Sequence, residues 1–179
     1  MRVKLRLLVV TIAGVLTLSG VALAATITGD DNDNRLKGTK DADTINALGG
    51  NDAVFARAGN DVVDAGDGND RVHAGAGDDA VTGGLGDDRL GGQKGKDDVA
   101  GGDGNDLVRG GRGVDALSGD AGDDRINGRG DGRAGDTISC GDGNDVVKAG
   151  RNDVVDPDCE TVRQPGKGKP YAIKKPKKH

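Results

Sequence analysis

Along the middle of this chain an aliphatic side chain recurs at every ninth residue. The series is Leu36, Ile45, Val54, Val63, Val72, Val81, Leu90, Val99, Val108, Leu117 and Ile126, without interruption. Two residues before each stands an acid: Asp43, Asp52, Asp61, Asp70, Asp79, Asp88, Asp97, Asp106, Asp115 and Asp124, with Asn34 in the first repeat. With the nine positions numbered so that this Asp is sixth, the aliphatic residue is eighth and position one is Gly or Ala. Position four is Gly in every repeat between residues 50 and 122.

Positions seven to nine, such as Arg71, Val72 and His73, predict a short strand whose middle side chain faces one way and whose flanks face the other. Positions one to six must then reverse the chain. Glycines at two and four supply the positive φ and close backbone approach that such a turn needs. Asn or Asp at position five, as at Asn51, Asn60, Asn69, Asp78, Asp87, Asn105 and Asp123, also tolerates left-handed backbone. Two repeats, eighteen residues, complete one coil. Successive coils stack as parallel strands roughly 4.8 Å apart, with a right-handed crossover. The predicted fold is therefore all-β, a right-handed parallel β-roll (a β-solenoid). Consecutive turns fall on opposite edges, so Asp52, Asp70, Asp88, Asp106 and Asp124 form one stack. Asp43, Asp61, Asp79, Asp97 and Asp115 form the other.

Composition sharpens the question of what holds such a roll together. The chain has 179 residues, of which 34 are Gly, one is Phe, one is Tyr and none is Trp. Glycine does not fall at every third position, which excludes collagen. Low aromatic content with high charge is the signature of disorder, and only the periodicity argues for a fold. One small aliphatic per repeat buries too little apolar surface to offset the chain entropy of ordering so many glycines. Stacking also draws Asp carboxylates together along each edge, where they repel. A multivalent cation between them answers both problems. Carboxylates with backbone carbonyls in a glycine-rich loop are hard oxygen donors and select Ca²⁺ over zinc or copper.

The segments GGDGNDLVR (101–109) and GGLGDDRLG (83–91) resemble the RTX, or hemolysin-type, calcium-binding nonapeptide. The resemblance covers about residues 29–127, with a degraded continuation to about residue 155. It implies several Ca²⁺ ions held between turns of adjacent coils by the position-six carboxylates and by loop carbonyls. The implied ligands are the ten aspartates from Asp43 through Asp124, Asp145 in a later repeat, and the carbonyls of Gly68, Gly86, Gly104 and Gly122. The pattern departs from that family at Asn34, at Gln93, Lys94 and Lys96, and at Val114. Arg57, Lys94, Lys96 and Arg112 all belong to the second stack, so the first is expected to bind cations more tightly.

The two ends read differently. MRVKLR, an apolar run over residues 7–18 and Ala22-Leu23-Ala24 have the form of a cleavable signal peptide, residues 1–24. An uncleaved membrane anchor is the alternative. Its removal takes away Arg2, Lys4 and Arg6 and moves the net charge from −5 to −8. Regular repeats occupy 25–127. Beyond them Asp124 and Asp136 are twelve residues apart instead of nine, an insertion of three that opens a degraded cap, 128–163. The cap holds both cysteines, Cys140 and Cys159, nineteen residues apart. In an exported chain these are expected to form a disulfide closing the end of the roll. Residues 164–179 carry six lysines and no acid. They read as a disordered basic tail, or as a contact for an anionic surface polymer. They lack the pattern of specific nucleic-acid recognition.

No catalytic constellation is evident. After residue 24 the histidines are His73 and His179 and the serines Ser118 and Ser139, and equivalent repeat carboxylates offer no asymmetric pKa tuning. The reading is a secreted, monomeric, noncatalytic calcium-binding roll with a structural or adhesive role at or outside the cell surface. The alternative is an accessory module or relative of a secreted RTX toxin or hydrolase.

Overall fold

The computed structural model describes residues 24–130 and 135–165, and among these there is no helix. The segment read as a signal peptide and the basic tail lie, but for their innermost residues, outside the described residues. Three short strands open the chain: β1 (Thr26–Thr28), β2 (Arg35–Lys37) and β3 (Thr44–Asn46). Six-residue strands follow as β4 (Ala53–Ala58), β5 (Val62–Asp67), β6 (Arg71–Ala76) and β7 (Ala80–Leu85). β8 (Arg89–Lys94), β9 (Asp98–Asp103), β10 (Leu107–Arg112) and β11 (Ala116–Ala121) continue the series. β12 (Arg125–Asn127), β13 (Thr137–Asp142), β14 (Val146–Lys148), β15 (Val154–Val155) and β16 (Thr161–Arg163) complete the stack.

Odd-numbered strands form one eight-stranded sheet and even-numbered strands the other, each in coil order. Every pairing is parallel, and Val72 sits between Val54 and Leu90, each eighteen residues away. The coil is thus the predicted two repeats. Past β11 the register jumps, pairing Leu117 with Ile138 and Ile126 with Val147, twenty-one residues on. The three-residue insertion falls between β12 and β13, and both sheets continue beyond it.

The position-eight aliphatics from Ile27 to Val162 are buried, except Val155 near the end of the roll, which is half-buried. Position one also faces inward, two residues along the same strand. Its alanines, Ala47, Ala56, Ala65 and Ala74, are fully buried beside the aliphatic row.

Two local expectations need correction. The central strands run on through positions one to three, so only positions four to six reverse the chain. A left-handed residue at position two brings the backbone back into register, as in the pairs Gly66↔Gly84 and Asp67↔Leu85. Position two demands this conformation even of Leu48, Arg57, Gln93 and Asp120, the described non-glycine residues with positive φ. Position five does not adopt it. Its Asn and Asp side chains serve instead as acceptors for the next coil.

The expected disulfide is present between Cys140 and Cys159, with Cα atoms 5.1 Å apart and both residues buried. It ties β13 to the segment after β15. In a solenoid each coil contacts only its neighbours, so the staple's effect is local. Cys159→Ser is expected to destabilise the final coil by about 2–4 kcal/mol and to leave the coils between β4 and β11 intact. Hydrogen exchange resolved along the chain checks this, with new exchange confined to the region beyond β12.

Candidate metal centre

Each position-six aspartate is buried between coils. Asp43 through Asp124, and then Asp136 and Asp145, expose at most 3 % of their surface. Their placement follows from the turn: the backbone N–H at position six points along the stack, toward the next coil. There it meets a carboxylate. The N–H of Asp52 donates to Oδ1 of Asp70, that of Asp70 to Asp88, Asp88 to Asp106 and Asp106 to Asp124, each at 2.7–2.8 Å. The ladder continues through Asp145 and ends on Oε2 of Glu160. On the other edge the same bond links Asp43, Asp61, Asp79, Asp97 and Asp115, then runs through Asp136 to Asp153. The two stacks expected from the sequence are therefore two continuous carboxylate ladders.

Asp136, Asp153 and Glu160 extend these ladders beyond the aspartates that the spacing singled out. Their signal was present in the sequence. Asp136-Thr137-Ile138, Asp153-Val154-Val155 and Glu160-Thr161-Val162 each place an acid two residues before an aliphatic. One insertion and two shortened repeats hid them from a count by nines.

One oxygen of each carboxylate is satisfied by the ladder. The second is not: Oδ2 of Asp52, Asp61, Asp70, Asp79, Asp88, Asp97, Asp106 and Asp124 is buried with no hydrogen-bond partner. A buried anionic oxygen without a donor is costly. Desolvation accordingly pushes Asp88, Asp97 and Asp124 up to about 7, from 3.8. Asp52, Asp61 and Asp106 are pushed up to about 6 by the same cause. The ladder N–H pulls each of them down, and neighbouring aspartates, such as Asp106 and Asp70 around Asp88, push up again.

What lies beside Oδ2 depends on position one. A Cβ built on Gly83, Gly101 or Gly119 would fall on Oδ2 of Asp88, Asp106 or Asp124, and also against the carbonyl oxygen of Gly101, Gly119 or Cys140 in the next coil. Two hard oxygens thus converge on space that exists because position one is glycine. At Gly92 and Gly110 the nearest atoms are those of Asp97 and Asp115 alone. Ala47, Ala56, Ala65 and Ala74 carry a methyl at this position, whereas at Gly38 Oδ2 of Asp43 and the Ala56 carbonyl oxygen converge again. The carbonyls of Gly68, Gly86 and Gly104 stand elsewhere in the turn, each against the next coil's position-four glycine. The unpartnered oxygens, the carbonyls beside them and the carboxylate charge fit a hard divalent cation.

An outer ladder runs along the first edge in the opposite sense. The N–H of Asn69 donates to Asn51, Asp87 to Asn69, Asn105 to Asp87 and Asp123 to Asn105. Donation from Asn51 and Asn105 holds the exposed carboxyls of Asp33 and Asp87 below the usual range. On the second edge this ladder runs from Asn60 through Asp78 to the N–H of Lys96, whose side chain offers no acceptor to continue it. Beside the disulfide, Asp158 accepts from the Gly141 N–H at 3.0 Å; the bonded sulfurs are not thiolate ligands. The structure directs Ser118 and Ser139 to Asp120 and Asp158, and His73 to Gln93 at 3.1 Å.

The model of the RTX calcium-binding nonapeptide repeat matches residues 28–63, 57–90, 64–99, 91–126, 100–133 and 131–153. The chain belongs to this family of calcium-binding repeats. Among curated proteins nothing matches it.

The raised carboxyls set a pH dependence for the ion-free roll. Between the unfolded value near 3.8 and the folded values of about 6 to 7, the folded state binds more protons than the unfolded one. Stability without a cation is then fullest below pH 4 and falls as pH rises through 6 to 7. Calcium affinity should move oppositely and weaken on acidification through the same window. The check is circular dichroism of chelated protein titrated from pH 8 to pH 5, where the β-signal is expected to grow.

Proposed function

We propose that this chain is an exported, noncatalytic calcium-binding roll in which folding and ion binding are one equilibrium. The single observation behind this is the row of buried Oδ2 atoms without donors. Protons or cations must neutralise them for the coils to close, and at neutral pH a divalent cation does so best. The residues proposed to hold it are the position-six aspartates already named, with Asp145 from the later repeats and loop carbonyls including those of Gly68, Gly86, Gly104 and Gly122. The carbonyls of Gly101 and Gly119 join this set on geometric grounds. Millimolar extracellular Ca²⁺ suits such sites, whose dissociation constants are about 10⁻⁴–10⁻³ M in extracellular modules. That range fits the signal-peptide reading of residues 1–24, and a structural or adhesive role outside the cell follows.

The chelated chain at pH 7.5 is expected to lose most of its β-signal in circular dichroism and to recover it cooperatively with Ca²⁺. Full β-structure in chelator at moderate temperature would defeat the proposal.

The loops rank by the room and charge around them. Asp88, Asp106 and Asp124 combine a position-one glycine, a convergent carbonyl and a ladder without nearby lysine. Asp97 has Lys94 and Lys96 in its own loop, both exposed. Asp88→Ala should therefore remove or weaken two tight sites, raising the Ca²⁺ midpoint by about tenfold, and Asp97→Ala should raise it less. A calcium titration in which Asp97→Ala is the more damaging change contradicts the ranking.

A further inference from the structure

The flanking positions of each strand, seven and nine, form the outer walls of the roll, and the two walls differ in charge. On the even-numbered sheet, position seven carries Arg35, Arg71, Arg89 and Arg125; position nine carries Lys37, Arg109, Lys148 and Arg163, and all are exposed. Strand pairing aligns them in two rows along the roll, with Arg71 beside Arg89 and Lys148 beside Arg163. On the odd-numbered sheet the same positions are Thr26, Thr44, Val62, Ala80, Asp98, Ala116, Thr137 and Val154, and Thr28, Asn46, Asp64, Thr82, Ala100, Ser118, Ser139 and Asp156. No cation appears there among the described residues. Charge placed merely for solubility has no reason to choose one wall.

Near the middle of the basic wall is a depression lined by Arg71, His73, Arg89, Gln93 and Arg109. Its floor is Gly91, where an added Cβ would meet only the Val72 carbonyl oxygen at 3.8 Å. The side chain missing at Gly91 leaves the surrounding cations facing open space.

We infer that this wall is a track for a linear acidic polysaccharide bearing carboxylate or sulfate groups along its length. Three features fit that occupant. The cations form a narrow track of two rows, roughly 35 Å long over eight strands at about 4.8 Å each, which suits a chain better than a membrane. A membrane would also need apolar anchors, and the wall offers little beyond Phe55, Leu107 and Val146. The step between strands is close to the length of one sugar unit, so regularly spaced acids can meet successive rungs. Nucleic-acid single strands are gripped largely by base stacking on open aromatic faces. Here Phe55 is covered on both sides, by the stacked His73 ring at 5.3 Å from β6 and by the Arg35 guanidinium at 4.7 Å from β2.

The inference needs the folded roll and makes no use of where cations bind. Its test uses the chain from Ala25 onward, loaded with Ca²⁺, titrated with heparin and with polygalacturonate at about 0.15 M ionic strength. Arg71→Gln/Arg89→Gln/Arg109→Gln removes three charges from the wall. Lys94→Gln/Lys96→Gln/Arg112→Gln removes the same number from the second turn edge, at the ends of β8 and β10 and in the turn after β8. Both polymers should bind, and the wall variant should weaken binding by about tenfold or more, three exposed charge contacts being worth that much. The edge variant should change it less than about twofold. Circular dichroism verifies each fold; should the wall triple lose β-structure, Arg109→Gln/Arg125→Gln reads the same rows. Equal weakening by wall and edge variants, no binding of either polymer, or tighter binding of a charge-matched single-stranded oligonucleotide would each overturn the inference. Loss of calcium dependence with polymer binding retained would count against the proposed function alone.

Discussion

Every coil of this roll buries a carboxylate, and the rest of the structure is arranged around that burial. At the turn the backbone cannot pair as a strand, yet its position-six N–H lies inside and requires an acceptor. Aspartate supplies one: its side chain is short enough for Oδ1 of Asp88 to take the Asp70 N–H at 2.7 Å. The same side chain leaves Oδ2 in a region closed to water. Each aspartate therefore joins one coil to the one before it and introduces a buried negative charge. A proton can relieve that charge in acid and a divalent cation at neutral pH, which makes the coil's closure dependent on solution conditions.

Position one divides the roll along its length. Ala47, Ala56, Ala65 and Ala74 place methyl groups inside, adding apolar burial that the glycine stretch after them lacks. From residue 83 to 119 the position is glycine, and the interior there holds carboxylate and carbonyl oxygens instead. On the proposed reading, the alanine coils rely more on hydrophobic contact and the glycine coils more on a cation. Nearest-neighbour stacking then lets one end template the other. The disulfide at Cys140 and Cys159 lies beyond the glycine half, so the section with least apolar support has a covalent stop at its far end and an alanine-packed stack at its near end.

Much of this was legible in the sequence because each feature repeats at the same period. The coil length, the inward aliphatics and the two aspartate stacks follow from spacing, and the cysteine pair from spacing together with the expectation of an exported chain. Strand length was not legible, because glycine at positions one and two reads locally as turn; only the neighbouring coil shows that it still pairs. Position five misled for a similar reason. Asn and Asp are intrinsic turn residues, but here their side chains are fixed by the N–H of the following coil. Asp136, Asp153 and Glu160 were obscured by irregular spacing, although the acid-x-aliphatic triplet marks each of them. The basic wall is a different case. Arg71, Arg89 and Arg125 recur at position seven of alternate repeats, so at a period of nine they are diluted by Val62, Ala80 and Ala116. At eighteen residues they become a row.

A coil of two nonapeptides has four surfaces, two walls and two turn edges, and each is a separate line of residues at that longer period. One wall here is basic and the other nearly neutral. The first edge carries Asp67, Asp87, Asp103 and Asp123, whereas Lys94, Lys96 and Arg112 stand on the second. Because charges in water are screened over about 8 Å at physiological ionic strength, exposed rows on different surfaces act largely on their own surroundings. An edge that concentrates cations can therefore coexist with a wall that attracts polyanions, even though the net charge of the chain is only −5. Changing one row alters one surface and leaves the stacked interior in place, since the residues that hold the coils together are at positions one, six and eight.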